Sequence, residues 1–339
     1  MSWFQSVNTK DKMVISSRVR LARNIQGYPF PGHMTNQQAA EVISKIGNVL
    51  GRNGFDQIDF KSISPLQAAA YVEQRYISPA FAKEKREHTL FLNEPCNLSV
   101  MACEEDHLRI QSIEPGLSLE KAYANAISVE EMLDAHMDIA FDKQFGYLTA
   151  CPTNLGTGMR ASIMVFLPGI TFTGHINSLS SQLTKIGLTI RGAHGEGSEA
   201  QACVYQISNQ ISMGLSEEDI IKKLNEVVSM VVETETEAEK ELYSRSHDQL
   251  TDRVLRAEGA LKYAYMISSE EFMKHYVQIR LGMNLGIIKD IPEEQFYPLL
   301  IEVMPATLCQ LSDEAIGDDA RRDRARAAFI QKKLSKETE

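Results

Sequence analysis

Cys151–Ile163, "CPTNLGTGMRASI", packs a cysteine, a proline, two glycines and an arginine into one short run that ends in apolar residues. The glycines suit a tight turn, because Gly156 and Gly158 can take φ > 0 at no steric cost, and Pro152 fixes the approach. Arg160 then falls where this loop hands over to "ASIMVFLP", which reads as a buried strand. A guanidinium at a strand entrance, beside exposed backbone N–H groups, suits an anion.

Working outward, "VISSRVRLAR" alternates: Ile15, Val19 and Leu21 face one way, and Ser16, Arg18 and Arg20 the other. "CEEDHLRI", Cys103–Ile110, reads as a strand too, with Cys103, Glu105, His107 and Arg109 on one face, against the plainer reading of a solvated face with local ion pairs. "TIRGAHGEGSE" sets Arg191 at a strand end, followed by Gly192, Gly195 and Gly197, a pattern for a mobile loop carrying Glu196 and Glu199 or for a plain surface loop. Arg18, Arg20, Arg109, Arg160 and Arg191 thus all lie on strand faces or at strand and glycine-loop junctions. Convergent, they would form a phosphate cradle; otherwise they are five unrelated surface charges.

The 339 residues, 43% hydrophobic and 24% charged, fit a folded protein of about two domains. A net charge of −10 gives no support to broad nucleic-acid or anionic-membrane binding. The five cysteines form no CxxC pair, so neither a disulfide framework nor a zinc ribbon is encoded, and a reducing cytoplasm is the simplest setting. No signal peptide and no membrane-length apolar run is readable. Cys96, Cys103 and His107 lack metal-binding spacing, and no metal ligand set is expected.

Thr35 is a fitting N-cap for a helix ending near Gly51, and helical patterns follow at Ser118–His136 and Thr173–Ile186. Short apolar stretches between them ("HTLFLNE", "LSVMACEEDHLRIQSI", "FGYLTAC", "ASIMVFLP", "GLTIRG", "ACVYQIS") read as strands in an order too irregular for repeated βαβ units. The expected fold is α+β: a largely antiparallel sheet flanked by helices over residues 1–245, then a helical domain over 246–339. GxxxxGK[ST], HRD and DFG are absent, and "GTGMRA" leads into a strand where a dinucleotide fingerprint would open a helix.

"CPTNLGTGMRAS" resembles the active-site signature of the phosphagen (guanidino) kinases, the creatine and arginine kinases. "SSRVRLAR", "EEDHLR" and "RGAHGEGSE" resemble three further motifs of that family in the same order, together covering about residues 14 to 240. The resemblance implies an ATP-dependent kinase of guanidino groups. It implies that Arg18, Arg20, Arg109, Arg160 and Arg191 hold the phosphates of MgATP, that Glu105 and Glu196 grip the substrate guanidinium, and that Cys151 shares their pocket. Cys103 departs, standing where family members commonly have asparagine.

The first motif begins at Ser16, without a preceding counterpart of the family's N-terminal helical domain, and helices follow the last one. That combination resembles the bacterial protein-arginine kinases. It implies phosphorylation of arginine side chains in proteins, marking them for a Clp-type ATPase and protease, with an activator protein (McsA-like) and a homodimer as the implied partners. "RDRARA" resembles that family's RDxxRA motif, which implies a phosphoarginine-binding role for Arg322, Asp323 and Arg326; taken alone, the run is a charged helix face. The rival readings are a kinase of a free guanidino metabolite and a non-catalytic phosphoarginine-reading adaptor.

Overall fold

The computed structural model describes residues 2–6, 12–192 and 201–335. Strand β1 (Val14–Arg23) is followed by α1 (Asn36–Leu50), β2 (Phe55–Asp59), α2 (Pro65–Glu73) and α3 (Pro79–Lys83). Next come β3 (Thr89–Asn93), β4 (Leu98–Ala102), β5 (Leu108–Pro115), α4 (Leu119–Asp134) and a two-residue hairpin, β6 (Phe141–Asp142) with β7 (Gly146–Tyr147). The run to the last strand comprises β8 (Met159–Phe166), α5 (Pro168–Phe172), α6 (Ile176–Lys185), β9 (Leu188–Gly192) and β10 (Val204–Asn209). Beyond it the chain is helical: α7 (Glu217–Arg245), α8 (His247–Tyr263), α9 (Ser269–Asn284), α10 (Glu293–Phe296), α11 (Leu299–Glu302), α12 (Pro305–Leu311) and α13 (Asp319–Leu334).

Eight strands form one sheet in the order β2-β3-β4-β5-β1-β8-β10-β9, and every neighbouring pair is antiparallel. The expected α+β class with an antiparallel sheet is what the chain builds. Local signals place the helix starts: Thr35 Oγ1 accepts from Gln38 N–H, and Ser216 Oγ from Asp219 N–H. The "FGYLTAC" stretch contributes only Gly146–Tyr147 as strand.

Because side chains alternate along a strand, the register sorts the sheet into two unlike faces. One is mainly apolar, with Val19, Leu21, Val100, Ile110, Ile163 and Ile207 packed under α1, α4, α6 and α7. The other carries Leu90, Leu92, Met101, Ile113, Met164 and Phe166 in a cluster to which the C-terminal helices contribute Leu250, Val254, Phe272 and Tyr276. At its centre this second face is polar. The helices after α7 therefore close over the sheet face that carries the arginines, sharing its core.

The register also corrects one local expectation. A bulge between Val14 and Ser16 puts Val14 with Val19 and Leu21 in the apolar layer, while Ile15 packs against the other cluster.

Candidate functional site

Arg20 lies opposite Arg160 of β8 and Gln111 of β5; Arg18 lies opposite Ser162, which faces Ser208 of β10; Arg191 of β9 lies opposite Gln206. Directly opposed residues share a face, so four arginines on three strands point the same way. They line a cavity of about 370 Å³ together with Gln206, Ser208, Ser78, Glu73 and a fifth arginine, Arg75. Arg109, opposite Ala22 and Met101, projects from the same face and forks to two carboxylates, Glu104 Oε2 at 2.5 Å and Glu105 Oε2 at 3.1 Å.

Within the cavity the guanidinium groups crowd one another. Burial, then repulsion from Arg75, Arg160 and Arg109, pulls the Arg18 guanidinium down to about 9. Burial followed by Arg18, Arg109 and Arg160 holds Arg20 well below the usual arginine range, with Glu104 opposing. Burial brings Arg75 down to about 10. Arg20 Nε finds no acceptor among the described residues. Neutral groups do the local holding: Arg18 Nη2 donates to Gln206 Oε1 at 2.8 Å, and Arg160 Nη2 to Ser208 Oγ at 3.2 Å. Cations concentrated in this way form a seat for a multiply charged anion.

The "EEDH" motif is where sequence reading and structure part. Residues 103–107 form the turn of the β4–β5 hairpin, closed by the Cys103 N–H to His107 carbonyl bond at 3.0 Å, with Cys103 at φ +62. The expected common face of Cys103, Glu105, His107 and Arg109 does not exist, because the alternation stops at Ala102. Cys103 is buried, and burial pushes its thiol up to about 12. His107 is structural: its Nδ1 accepts from Ile25 N–H and its Nε2 donates to the Pro29 carbonyl, both at 2.9 Å. That bonding fixes a neutral ring, and burial holds its pKa below the usual value.

The turn nevertheless delivers the carboxylates. Glu104 is buried and accepts from Ser78 Oγ at 2.5 Å, whereas the Glu105 side chain is 44% exposed and faces out beside Arg109. Between them and Cys151 stands Asp106, whose Oδ1 accepts from Asn24 Nδ2 at 2.6 Å and from Ala150 N–H at 2.7 Å. This ties the residue after Glu105 to the residue before Cys151. Cys151 is half-buried, with Sγ 3.0 Å from Thr153 Oγ1.

The loop that follows needs its glycines for space as well as for φ. A Cβ at Gly158, φ +60, would stand 2.5 Å from Arg23 Nη1 and 2.7 Å from the Ala22 carbonyl oxygen.

Glu196 and Glu199 lie outside the described residues. Arg322, Asp323 and Arg326 sit on α13, away from the cavity lining. Arg322 pairs with Asp319. Arg326 is buried and donates to the Val303 and Ile267 carbonyls at 2.9 and 2.8 Å and to Asp323 Oδ1 at 2.5 Å. Sequence reading missed Arg75, Gln206 and Ser208. Arg75 follows a helix and carries no local signal; only the fold brings it to the sheet.

Residues 37–238 match the family model "ATP:guanido phosphotransferase, C-terminal catalytic domain", and residues 247–339 match "Protein-arginine kinase McsB C-terminal domain". A protein-arginine kinase of Caldanaerobacter subterraneus subsp. tengcongensis is 38% identical over 330 residues, covering 96% of this chain and 97% of the relative. One from Bacillus licheniformis is 39% identical over 342 residues, covering 99% and 94%. Among solved structures, a taurocyamine kinase from Schistosoma mansoni superposes with a TM-score of 0.59 at 26% identity, over 68% of this chain and 35% of that one. A lombricine kinase gives 0.58 at 25%, over 68% and 69%. With the arginine-lined cavity on one sheet face and near-full-length likeness to named relatives, the chain belongs to the protein-arginine kinases of the ATP:guanido phosphotransferase family.

Proposed function

We propose that this kinase transfers the γ-phosphoryl group of ATP, in line and without a covalent enzyme intermediate, to a guanidino nitrogen of an arginine side chain displayed on a protein. The observation that carries this reading is the crowd of converging guanidinium groups, with Arg109 of the same face paired to the exposed carboxylate of Glu105. Phosphoryl transfer asks mainly for alignment and for neutralisation of charge on the phosphoryl oxygens. Arg18, Arg20, Arg160 and Arg191 supply that charge, with Arg109 at the border of the two carboxylates and Arg75 as an added cation.

The acceptor is the harder half, because a protonated guanidinium has no free lone pair. Glu105 hydrogen-bonds the substrate guanidinium, aims one nitrogen at the γ-phosphorus and accepts its proton as the N–P bond forms and the bond to the β,γ-bridging oxygen breaks, releasing ADP. Glu196 is the proposed second carboxylate and Cys151 the group that orients the guanidinium. No cluster of three or more His, Cys, Asp or Glu able to hold a metal occurs among the described residues. Mg²⁺ enters this scheme as part of MgATP, held through the nucleotide's phosphates, and no step is assigned to it.

A protein acceptor, in place of a free metabolite, is supported by the relatives named as protein-arginine kinases, which this chain matches over nearly their whole length. On the same footing we propose a cytoplasmic homodimer, assisted by an activator protein (McsA-like), whose products pass to a Clp-type ATPase and protease. No helix among the described residues is long and apolar enough to cross a membrane. For the RDRARA segment we propose that Arg322 and Asp323, both half-exposed, meet phosphoarginine, and that Arg326 holds them in place from inside.

The test offers the purified protein MgATP with free L-arginine in one tube and an unfolded arginine-rich protein in another, read by mass spectrometry that preserves acid-labile N–P bonds. Phosphoarginine in the protein tube is expected. Glu105→Ala should lower transfer about 10³-fold while ATP affinity stays within about twofold. Product from free arginine alone would point to a metabolite kinase, and silence in both tubes to a missing activator or an adaptor. Equal loss of transfer and ATP affinity in Glu105→Ala would overturn that residue's role.

A further inference from the structure

Glu73 ends α2 and reaches into the C-terminal helical region. Its Oε1 accepts from Ala306 N–H at 3.0 Å, and its Oε2 from Thr307 N–H at 2.7 Å and Thr307 Oγ1–H at 2.8 Å. Gln74 Nε2 adds a bond to Gln310 Oε1 at 2.9 Å. The next residue, Arg75, takes φ +65, a left-handed conformation that L side chains hold only when the flanking structure imposes it. Glu73 and Gln74 fasten the near side to α12, and Gln111 Nε2 holds the far side through the carbonyls of Arg75 at 2.9 Å and Tyr76 at 3.2 Å.

The segment that Glu73 grips is fixed from its other end as well. Arg326 Nε donates to the Val303 carbonyl at 2.9 Å, and Met304, between that anchor and Glu73, lines the arginine cavity along with Glu73 and Arg75. Val303–Thr307 is thus a strap between α13 and α2 that forms part of the cavity wall.

We propose that Glu73 is a positioning residue for the ATP site: its bonds to α12 hold the end of α2, with the left-handed turn at Arg75, where it brings the guanidinium to the cavity, and so make the C-terminal helical region a structural part of the nucleotide site. The proposal rests on reading that cavity as the ATP site. At the end of α2 the Arg75 N–H meets the Val72 carbonyl and the Tyr76 N–H the Tyr71 carbonyl, both at 3.0 Å, so the turn is local to the helix end; the three bonds from α12 fix where that end, and the Arg75 side chain with it, stands against the cavity, and losing them lets the guanidinium move away. Movement of the strap then changes ATP affinity without any contact to the nucleotide.

The test is calorimetric titration of MgATP into the full-length chain and four single variants, Glu73→Ala, Thr307→Val, Arg75→Ala and Arg20→Ala, and the double variant Glu73→Ala/Arg75→Ala, with kcat at saturating ATP and melting temperature alongside. Glu73→Ala should weaken ATP binding about tenfold with kcat within about twofold, the pattern of lost ground-state binding. Thr307→Val, which removes one bond from the opposite side, should weaken it about twofold to threefold. The double variant should bind no more weakly than Arg75→Ala alone, because both changes act through one guanidinium.

ATP affinity within twofold of the parent in Glu73→Ala together with an unchanged Thr307→Val would overturn the proposal, as would a double variant whose loss is the product of the singles. If Glu73→Ala fails to fold, Thr307→Val decides the matter alone. Arg20→Ala separates the two layers: if it loses ATP binding while Glu73→Ala and Thr307→Val do not, only the positioning role falls. Unaltered binding in Arg20→Ala would remove the nucleotide-site reading itself.

Discussion

Arg20 and Arg23 leave the same strand three residues apart and live in opposite surroundings. Arg23 is buried and fully answered: Nε and Nη2 meet Glu130 at 2.7 and 2.9 Å, Nη1 donates to the Ala22 and Thr157 carbonyls, and the guanidinium lies 3.4 Å above the Tyr147 ring. Arg20 shares its side of the sheet with other cations, and its Nε has no acceptor among the described residues. The first arrangement is complete without a ligand; the second is relieved by one. Charge satisfaction, more than residue type or burial, separates a guanidinium that holds the fold from one that awaits an anion.

The largest effect on stability should come from the satisfied member. Arg23→Ala strands Glu130 in the interior and should lower unfolding free energy by about 3–5 kcal/mol in denaturant titration. A loss below about 1 kcal/mol would erase the contrast.

Acids sharpen the same comparison. Glu130 has its arginine, whereas Glu235 and Glu239, one turn apart on α7 and both buried, face each other. Glu235 accepts from the Gly169 and Ile170 N–H groups at 2.5 and 2.9 Å, and Glu239 from Asn284 Nδ2 at 3.0 Å. Burial, aided by their mutual repulsion, pushes Glu235 up to about 8; burial pushes Glu239 up to about 7 against the pull of Arg280 and Lys12. The folded chain thus keeps protons that an unfolded chain, titrating near 4.5, has already released. This contribution is fully present below that value and is lost as pH rises through about 7 to 8. Melting temperatures measured across that range should fall with rising pH, and Glu239→Gln should flatten the slope. An unchanged slope would mean that the pair does not titrate together.

The smallest expected effect belongs to Cys103, which holds the left-handed position of the β4–β5 turn. Asparagine adopts that conformation more readily, so Cys103→Asn should stabilise the chain by up to about 1 kcal/mol in the same titration. A clear loss of stability would show that burial of the thiol outweighs backbone preference.

What the sequence made legible was local. Alternation in β1 put Arg18 and Arg20 on one face, and the cap at Thr35 announced its helix. Features that rest on distant contacts were hidden. The hairpin turn at residues 103–107 contains no glycine or proline, so "CEEDHLRI" looked like continuous strand. The bulge at Ile15 leaves no mark in an alternating pattern. Arg75 follows an ordinary helix, and only the sheet reveals its place. Arg326, in a run rich in charge, gave no sign that it would be buried among carbonyls. The packing of the C-terminal helices against the arginine-bearing face was equally invisible, because periodicity shows that a helix has an apolar side without showing what covers it.

The central claim, that the converging guanidinium groups on this face bind the phosphates of ATP, is tested most directly by titrating MgATP calorimetrically into the parent chain and Arg20→Ala, with melting temperatures of the nucleotide-free proteins measured in parallel. The expected result is ATP affinity reduced about 100-fold or more, with a melting temperature unchanged or raised because like-charge repulsion has been relieved. Parent-like affinity in Arg20→Ala, or a sharp fall in its melting temperature, would contradict the claim and place Arg20 beside Arg23 as a residue that serves the fold.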